Sequence, residues 1–204
     1  MIEIYPRIYL ASNSPRRREL LQQIGVRFDV ILFRRGERGI DTDVDETPRL
    51  GEPPREYVIR IAQDKASAAE QRLSWRKLVR HPILAADTVI DLDGSIIGKP
   101  DNLQDSHAIL RQLSGRSHRV LTAITLNDGN TTQSLLSENE VWFSALSDDD
   151  IQTYAATGEP MDKAGAYAIQ GRAAAFIQKI SGSYSGIMGL PLFETAMLLR
   201  QVQP

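Results

Sequence analysis

The order of apolar and polar positions predicts a chain in which strands and helices alternate. Residues 8–11 form a short apolar run that predicts a buried strand, and a second strand is expected over residues 26–33. Between these strands, Ser14 is expected to cap a helix that begins with Pro15 at its first position and stops near Gly25. A strand, a helix and a strand therefore open the predicted fold.

The rest of the chain continues in the same way, apart from one long polar stretch. Residues 34–54 are charged, contain three glycines and three prolines and show no sustained apolar period, which predicts a functional or mobile loop. The further predicted elements are a helix from about residue 55, a strand over residues 82–92, a return strand at residues 96–97, a helix over residues 106–113, strands over residues 120–126 and around 140–143, a helix capped by Ser147 and a last helix over residues 191–202. Because hairpins occur among the alternating elements, we expect an α/β fold with a mixed sheet, in a single domain of residues 1–204.

Composition excludes several classes of protein. The chain has 204 residues and a formal net charge of −2, whereas a nucleic-acid surface usually shows a strong basic excess. It contains no cysteine, which excludes a disulfide framework and a thiol nucleophile. The first residues lack the basic and apolar regions of a signal peptide, and no apolar run approaches the roughly 20 residues of a membrane helix. We therefore expect a cytoplasmic protein with neither a nucleic-acid nor a membrane partner.

Three consecutive arginines lie in the first turn of the first predicted helix. Arg16, Arg17 and Arg18 place positive charge where the helix dipole already favours anions. Two interpretations are open: an anion binds there through backbone N–H groups and guanidinium groups, or all three side chains point to solvent. The Ser-x-Ser-Pro-Arg-Arg turn directly after a strand favours phosphate binding.

A lysine and an aspartate interrupt apolar segments further along the chain. Lys65 falls on the apolar face of its predicted helix, so it either snorkels past the edge of the core or points into a polar cavity. Asp87 lies amid buried strand residues, so it is paired, bound to a metal, shifted in pKa or hydrogen-bonded to the backbone. Lys99 follows the hairpin and adds a cation near the same end of the sheet.

Other polar clusters have simpler explanations. Asp148, Asp149 and Asp150 resemble a metal site, but the start of a capped helix explains them better. The three histidines share no metal-ligand spacing, and no serine has an evident His/Asp partner. Cations and a few acids without a covalent nucleophile suit the attack of water on a phosphoanhydride.

The motifs, in their order, resemble those of the Maf nucleotide pyrophosphatases over residues 8 to about 199. This resemblance implies a two-lobed α/β fold around an elongated mixed sheet, related to the inosine triphosphate pyrophosphatases, with a nucleotide cleft between the lobes. It also implies hydrolysis of a nucleoside triphosphate between the α- and β-phosphates, a divalent cation such as Mg²⁺ or Mn²⁺, and often a homodimer. The motifs are Leu10-Ala11-Ser12-Asn13-Ser14-Pro15-Arg16-Arg17, Asp45-Glu46-Thr47, Ala86-Asp87-Thr88, Gly98-Lys99-Pro100 and Gly189-Leu190-Pro191.

The resemblance also implies roles for single residues. Asp87 would be the general base, and Glu46 would help it to bind the metal or water. The long polar loop would then act as a flap over the active site, although its basic part, residues 34–41, departs from the family pattern. The phosphate-binding residues would be Ser12, Arg16, Arg17, Lys65 and Lys99.

Substrate choice within the family follows a few positions. Residues 162–171 are similar to the branch that prefers dTTP and UTP, and Thr88 agrees with that branch, whereas the 7-methyl-GTP branch tends to carry Gln beside the acid. The implied specificity residues are Arg16, Thr88 and Gln170. A glutamine amide offers both a donor and an acceptor to the edge of a pyrimidine.

A second interpretation is a nucleotide-binding regulator without essential catalysis, since the family was first linked to inhibition of septum formation. Such a protein would keep the Arg and Lys positions but could dispense with Asp87. The presence of this aspartate in the sequence favours the enzyme.

Overall fold

A computed structural model describes residues 5–31 and 44–202. In these residues, the chain forms one sheet of seven strands with helices packed around it. The strands are β1 (Ile8–Ala11), β2 (Phe28–Val30), β3 (Ile83–Leu92), β4 (Ser95–Ile97), β5 (Ser117–Asn127), β6 (Thr132–Phe143) and β7 (Ile177–Ser181). The α-helices are α1 (Pro15–Gln23), α2 (Pro54–Trp75), α3 (Leu103–Leu113), α4 (Asp148–Ala155), α5 (Tyr184–Met188) and α6 (Leu192–Gln201), and short 3₁₀ helices cover Glu159–Asp162, Ala164–Ala166 and Arg172–Phe176.

The sheet is mixed, as the alternation of helices and hairpins predicts. Its strand order is β2-β1-β3-β5-β6-β7, with β4 paired to β3. The strand β1 runs parallel to both β2 and β3, because the connections to those strands pass through α1 and α2. All further pairs are antiparallel. The parallel pairs and the antiparallel hairpins thus meet at β3.

The long strand β3 contributes residues to four hydrophobic clusters, and one large cluster packs against each half of the strand. Its first half packs with β1, α1 and α6, where Leu84 joins Leu10 and Leu198. Its second half packs with α3 and α4, where Ile90 joins Leu110 and Ile151. These two large clusters form the cores of two lobes. Asp87 comes between the two halves of the strand, so the fold places it where the lobes meet.

Several predicted helix boundaries are confirmed. The helix α1 begins at Pro15 with Ser14 as its N-cap, and Gly25 follows its end with a φ of 73°. Ser147 caps α4 in a capping box, since its hydroxyl accepts from the backbone N–H of Asp150 and the Asp150 carboxylate accepts from the Ser147 N–H. Asp148 forms an ion pair with Arg111. The first turn of α4 is therefore a helix start, as the sequence predicts.

Other boundaries differ from the prediction. The strand β2 covers only Phe28–Val30 of the predicted residues 26–33, of which residues 32 and 33 lie outside the described residues. The strand β6 begins at Thr132 rather than near residue 140, because pairing with β5 extends over residues 132–142 and holds its more polar first part in the sheet. The strand β7 and the helix α5 were not predicted. Both lie in a polar, glycine-rich region, so their apolar pattern is weak.

The long polar loop is described only in part. Residues 44–53 lack regular secondary structure, as the sequence predicts, and the basic residues 34–41 lie outside the described residues. In the described ranges, no helix is long and apolar enough to cross a membrane.

A buried histidine lies in the core of the second lobe. The His118 side chain is 3% exposed, and its Nε2 atom lies 2.8 Å from the Tyr167 hydroxyl. The rings of Phe143 and Tyr167 pack edge-on against it. Burial lowers the pKa of His118 to about 4, because this apolar environment disfavours the imidazolium.

We predict that His118 makes stability depend on pH between neutral pH and pH 5. The unfolded chain takes up a proton near pH 6.5, whereas the folded state keeps His118 neutral down to about pH 4. The contribution of His118 to the free energy of unfolding is therefore fully present above pH 6.5 and is lost as the pH falls. The expected loss is about 2 kcal/mol between pH 7.5 and pH 5. Urea unfolding of wild type and His118→Leu at both pH values measures the difference. Parallel pH profiles for the two proteins would contradict the prediction.

Candidate active site

The structure brings all the predicted site residues to one cleft between the lobes. The cleft has a volume of about 470 Å³, within the range of roughly 300–1,000 Å³ that is usual for small-molecule sites. Its walls come from the end of β1, the first turn of α1, the middle of β3 and the segment from residue 161 to residue 170. The predicted residues that line it are Ser12, Arg16, Arg17, Glu46, Lys65, Asp87, Thr88, Lys99 and Gln170.

The Lys65 ammonium lies between two carboxylates. Its Nζ atom is 2.8 Å from Asp87 Oδ1 and 2.6 Å from Glu46 Oε1. The side chains of Lys65 and Asp87 are only 12% and 11% exposed. Lys65 therefore points into a polar cavity, and the alternative that it snorkels past the core is wrong. Burial of Lys65 and Asp87 is tolerated because their opposite charges are paired with each other.

Glu46 is held at the cleft by its backbone as well as by Lys65. The Tyr57 hydroxyl donates to the Glu46 carbonyl oxygen at 2.9 Å, which ties the end of the polar loop to α2. Burial by itself would raise the pKa of Glu46, but the Lys65 ammonium outweighs burial and lowers it below its ordinary value. Sequence reasoning missed Tyr57, because only the fold places α2 beneath this loop.

The carboxylates available for a metal are few. Among residues 5–31 and 44–202, no group of three or more His, Cys, Asp or Glu side chains has the arrangement of a metal site. Glu46 and Asp87 are nevertheless close together, since each contacts the same ammonium. Magnesium is commonly held by one or two carboxylates together with phosphate oxygens of the substrate. This donor set therefore fits a metal that binds with a nucleotide.

The Arg17 guanidinium is partly buried and bonds to several distant parts of the chain. Its Nε donates to the Gly189 carbonyl at 2.8 Å, and Nη1 donates to the Ala86 carbonyl at 2.8 Å. Nη1 also contacts the Ser12 hydroxyl at 3.2 Å, and Nη2 contacts the Thr88 hydroxyl at 3.2 Å. The side chain thus connects the end of β1, the middle of β3 and the turn between α5 and α6.

These contacts change the interpretation of the arginine cluster. Four hydrogen bonds occupy most of the five N–H groups of the Arg17 guanidinium. Burial lowers its pKa, an effect that the nearby Asp87 carboxylate partly opposes. The alternative that all three arginines point to solvent is therefore wrong. Phosphate binding by Arg17 stays a prediction. The contacts that Arg17 makes in the structure join separate segments of the chain to one another.

The two neighbouring arginines differ from Arg17. Arg16 Nη1 lies 3.1 Å from Asp162 Oδ2, an ion pair across the cleft that leaves the Arg16 side chain 21% exposed. The Arg18 Nη2 atom donates to the Asn13 carbonyl at 3.4 Å, and Arg18 is not among the described residues that line the cleft. Lys99 is exposed at the cleft, and its charge helps to lower the pKa of Glu46. Arg16 and Lys99 are therefore the cations best placed to meet a ligand.

The two predicted specificity residues Thr88 and Gln170 have different environments. The Thr88 hydroxyl lies 3.0 Å from the Thr122 hydroxyl, which in turn donates to the Gly186 carbonyl at 2.8 Å. Gln170 is exposed, and no hydrogen bond in the described ranges engages its amide. The Thr88 hydroxyl is therefore part of the framework, whereas the Gln170 amide is available to a ligand.

Comparison with known proteins gives one matching family and several relatives that share one name. A family model described as "Maf-like protein" matches residues 7–202. A protein from Aromatoleum aromaticum named "dTTP/UTP pyrophosphatase" is 64% identical over 199 residues, which cover 98% of this chain and 97% of the relative. Proteins of the same name from Ralstonia nicotianae and Dechloromonas aromatica are 55% and 51% identical, over 97% and 96% of this chain and 94% and 97% of theirs.

We predict that Arg17→Lys destabilises the protein in the absence of any nucleotide. A lysine cannot replace the planar fork, so buried carbonyls of β3 and of the α5–α6 turn lose their donors, at a cost of about 2–4 kcal/mol. Chemical denaturation measures this cost. Arg16→Lys in the same turn is the matched control, and it should cost less than about 1 kcal/mol because its ion pair is partly exposed. Equal stability of wild type and Arg17→Lys would show that these contacts contribute nothing.

Proposed function

The chain belongs to the Maf-like protein family, and we propose that it hydrolyses dTTP and UTP to the nucleoside monophosphate and pyrophosphate. The proposal is supported by the names of relatives that are more than half identical over nearly the whole chain. The observation that carries it in the structure is the contact of Asp87, Lys65 and Glu46 at the floor of the cleft.

Asp87 is suited to activate a water molecule. Its Oδ1 atom accepts from Lys65, and in the described part of the chain no other hydrogen bond engages its carboxylate, so Oδ2 is available to take a proton. The strand β3 holds this side chain in place, because Asp87 lies opposite Ala123 in the long ladder with β5. A rigid carboxylate at the floor of a polar cleft is the arrangement that general-base catalysis requires.

The phosphates would lie at the first turn of α1. Residues 13–17 line the cleft there, and the Ser12 hydroxyl accepts from the Ser14 N–H at 3.2 Å, which shapes the turn. Helix N-termini favour anions, and Arg16, Lys65 and Lys99 add positive charge at the same cleft. We infer that a triphosphate draws Arg16 away from Asp162 and binds it instead.

Glu46 and Asp87 would hold the divalent cation, Mg²⁺ or Mn²⁺. When bound, such a cation offsets the charge of the phosphates and stabilises the negative charge that develops on the leaving pyrophosphate. Without a ligand, the Lys65 ammonium pairs with the same two carboxylates. We infer that Lys65 turns from these carboxylates towards the phosphates when a nucleotide binds, which would leave both carboxylates free to hold the cation.

The base would meet the segment from residue 161 to residue 170. Gln170 offers its free amide there, beside apolar cleft residues such as Ile90, Tyr167 and Ile187. A site that hydrogen-bonds one edge of a base rejects bases with the wrong donors and acceptors, because buried polar groups would stay unpaired. This combination supports selection of a pyrimidine with the edge shared by thymine and uracil.

The proposal predicts pyrophosphate release from dTTP and UTP and from little else in a panel with CTP, GTP and 7-methyl-GTP. Asp87→Asn should lower kcat by about 10²–10⁴-fold while nucleotide still binds, because the base is lost but the cleft remains. Coupled pyrophosphate detection with Mg²⁺ or Mn²⁺ and equilibrium binding measure the two quantities. Release from another nucleotide alone would refute the substrate assignment. Tight binding without release from any nucleotide would favour the regulator instead.

We predict that Lys65→Met increases the affinity of the free protein for Mn²⁺ by about tenfold or more. The substitution removes the ammonium that competes with a cation for Glu46 and Asp87. Calorimetry or electron paramagnetic resonance of Mn²⁺ without nucleotide measures this affinity. Lys99→Met is the matched control, since Lys99 has no ion pair with either carboxylate in the described structure and should have a smaller effect. Unchanged Mn²⁺ binding in Lys65→Met would exclude these two carboxylates as the metal site.

The homodimer that the family resemblance implies stays a prediction. Nothing in the proposed reaction requires it, since every predicted site residue is supplied by one chain.

A further inference from the structure

The predicted base-reading residue lies in a tight turn. The Gly171 N–H donates to the Ala168 carbonyl at 3.0 Å, which closes a four-residue turn with Gln170 as its third residue. Side-chain hydrogen bonds depend steeply on distance and angle, so the Gln170 amide can discriminate between bases only if this turn is fixed. The contacts that hold this turn from behind therefore affect how well the Gln170 amide can distinguish one base from another.

A tyrosine and a glutamate hold both ends of the turn from behind. The Tyr154 hydroxyl accepts from the Ala168 N–H at 3.2 Å and donates to Glu159 Oε1 at 2.8 Å. The other carboxylate oxygen, Glu159 Oε2, accepts from the Arg172 N–H at 3.2 Å. One hydroxyl–carboxylate pair thus bonds to the backbone two residues before Gln170 and two residues after it.

The pair is itself closely packed. The Tyr154 side chain is 3% exposed, and its ring packs edge-on against Phe176 with centroids 5.3 Å apart. The Glu159 carboxylate lies directly against the backbone of Gly171, where an added Cβ would be 2.5 Å from the carboxylate carbon. A side chain at position 171 would therefore displace the Glu159 carboxylate from its contacts with the turn.

Neither Tyr154 nor Glu159 lines the cleft, so neither contacts a bound nucleotide directly. We propose that Tyr154 and Glu159 are positioning residues that set the nucleotide preference by fixing the backbone around Gln170. This inference rests on the proposed function, because it concerns which base the same cleft selects. The recognition element is then the whole segment from α4 to the 3₁₀ helix Arg172–Phe176, rather than one side chain.

The test is the Tyr154→Phe variant, which removes one hydroxyl and keeps the ring against Phe176. We expect kcat/KM for dTTP and UTP to fall about tenfold, as the amide loses its geometry, while kcat/KM for CTP changes little. The preference for dTTP over CTP should fall by the same factor. In a Gln170→Ala background, Tyr154→Phe should have no further effect on the preference, because the residue through which it acts is gone.

The matched control is Tyr9→Phe, which removes another partly buried tyrosine hydrogen bond, from Tyr9 to the Val79 carbonyl, away from the cleft. General destabilisation would lower the rates for all nucleotides together and leave the preference unchanged in both variants. If Tyr154→Phe fails to fold, Glu159→Gln provides the same measurement, since a single amide oxygen can accept from only one of the two donors, the Tyr154 hydroxyl and the Arg172 N–H.

The outcomes separate the two proposals. A wild-type protein that releases no pyrophosphate from dTTP or UTP refutes the proposed function. A wild type that prefers dTTP and UTP, with an unchanged preference in Tyr154→Phe or Glu159→Gln, refutes the positioning role. An altered preference that persists at full size in the Gln170→Ala background also refutes it, because the pair would then act through another residue.

Discussion

The floor of the cleft depends on one partly buried guanidinium, that of Arg17. Arg17 donates to backbone carbonyls on β3 and in the turn after α5, and its remaining contacts fix the hydroxyls of Ser12 and Thr88. A buried carbonyl that loses its donor costs about 1–3 kcal/mol, so these contacts are mutually dependent. They hold the first turn of α1, the strand β3 and the α5–α6 turn together beneath the charged residues of the cleft.

At the charged end of the cleft, the cations Lys65 and Arg16 are paired with carboxylates before any ligand binds. Lys65 lies between Glu46 and Asp87, and Arg16 is paired with Asp162 on the opposite wall. Each cation therefore has a carboxylate partner that a polyanion and its metal can replace. This exchange of partners leaves no buried charge unpaired, either before or after a ligand binds. The site is therefore stable in both states.

The two ends of the cleft are built from different kinds of structure. Asp87 and Lys65 lie on a strand and a helix in the middle of the fold, and both are nearly buried. Gln170 lies instead in a turn between short 3₁₀ helices, whose backbone is held by Tyr154 and Glu159. In the proposed function, the chemistry would therefore depend on the sheet and α2, whereas the contact with the base would depend on a loop outside the sheet.

Local signals in the sequence were sufficient for most elements. Ser14 and Pro15 begin α1, Ser147 begins α4, and the turn at Asp93 and Gly94 closes the β3–β4 hairpin, because each signal acts on its immediate neighbours. The first half of β6 and all of β7 could not be found this way. Their residues are polar, and pairing with β5 and with β6 places them in the sheet.

The family motifs, the mixed α/β class and the residue types available for chemistry can all be read from the sequence. The different contacts that neighbouring residues of the same type make are seen only in the folded chain. Arg17 is separated from Gly189 by 172 positions and Tyr154 from Ala168 by 14, and no local pattern distinguishes Arg17 from Arg16 or Lys65 from a surface lysine. The roles diverge because each side chain meets a different set of acceptors, and the folded sheet alone brings those acceptors together.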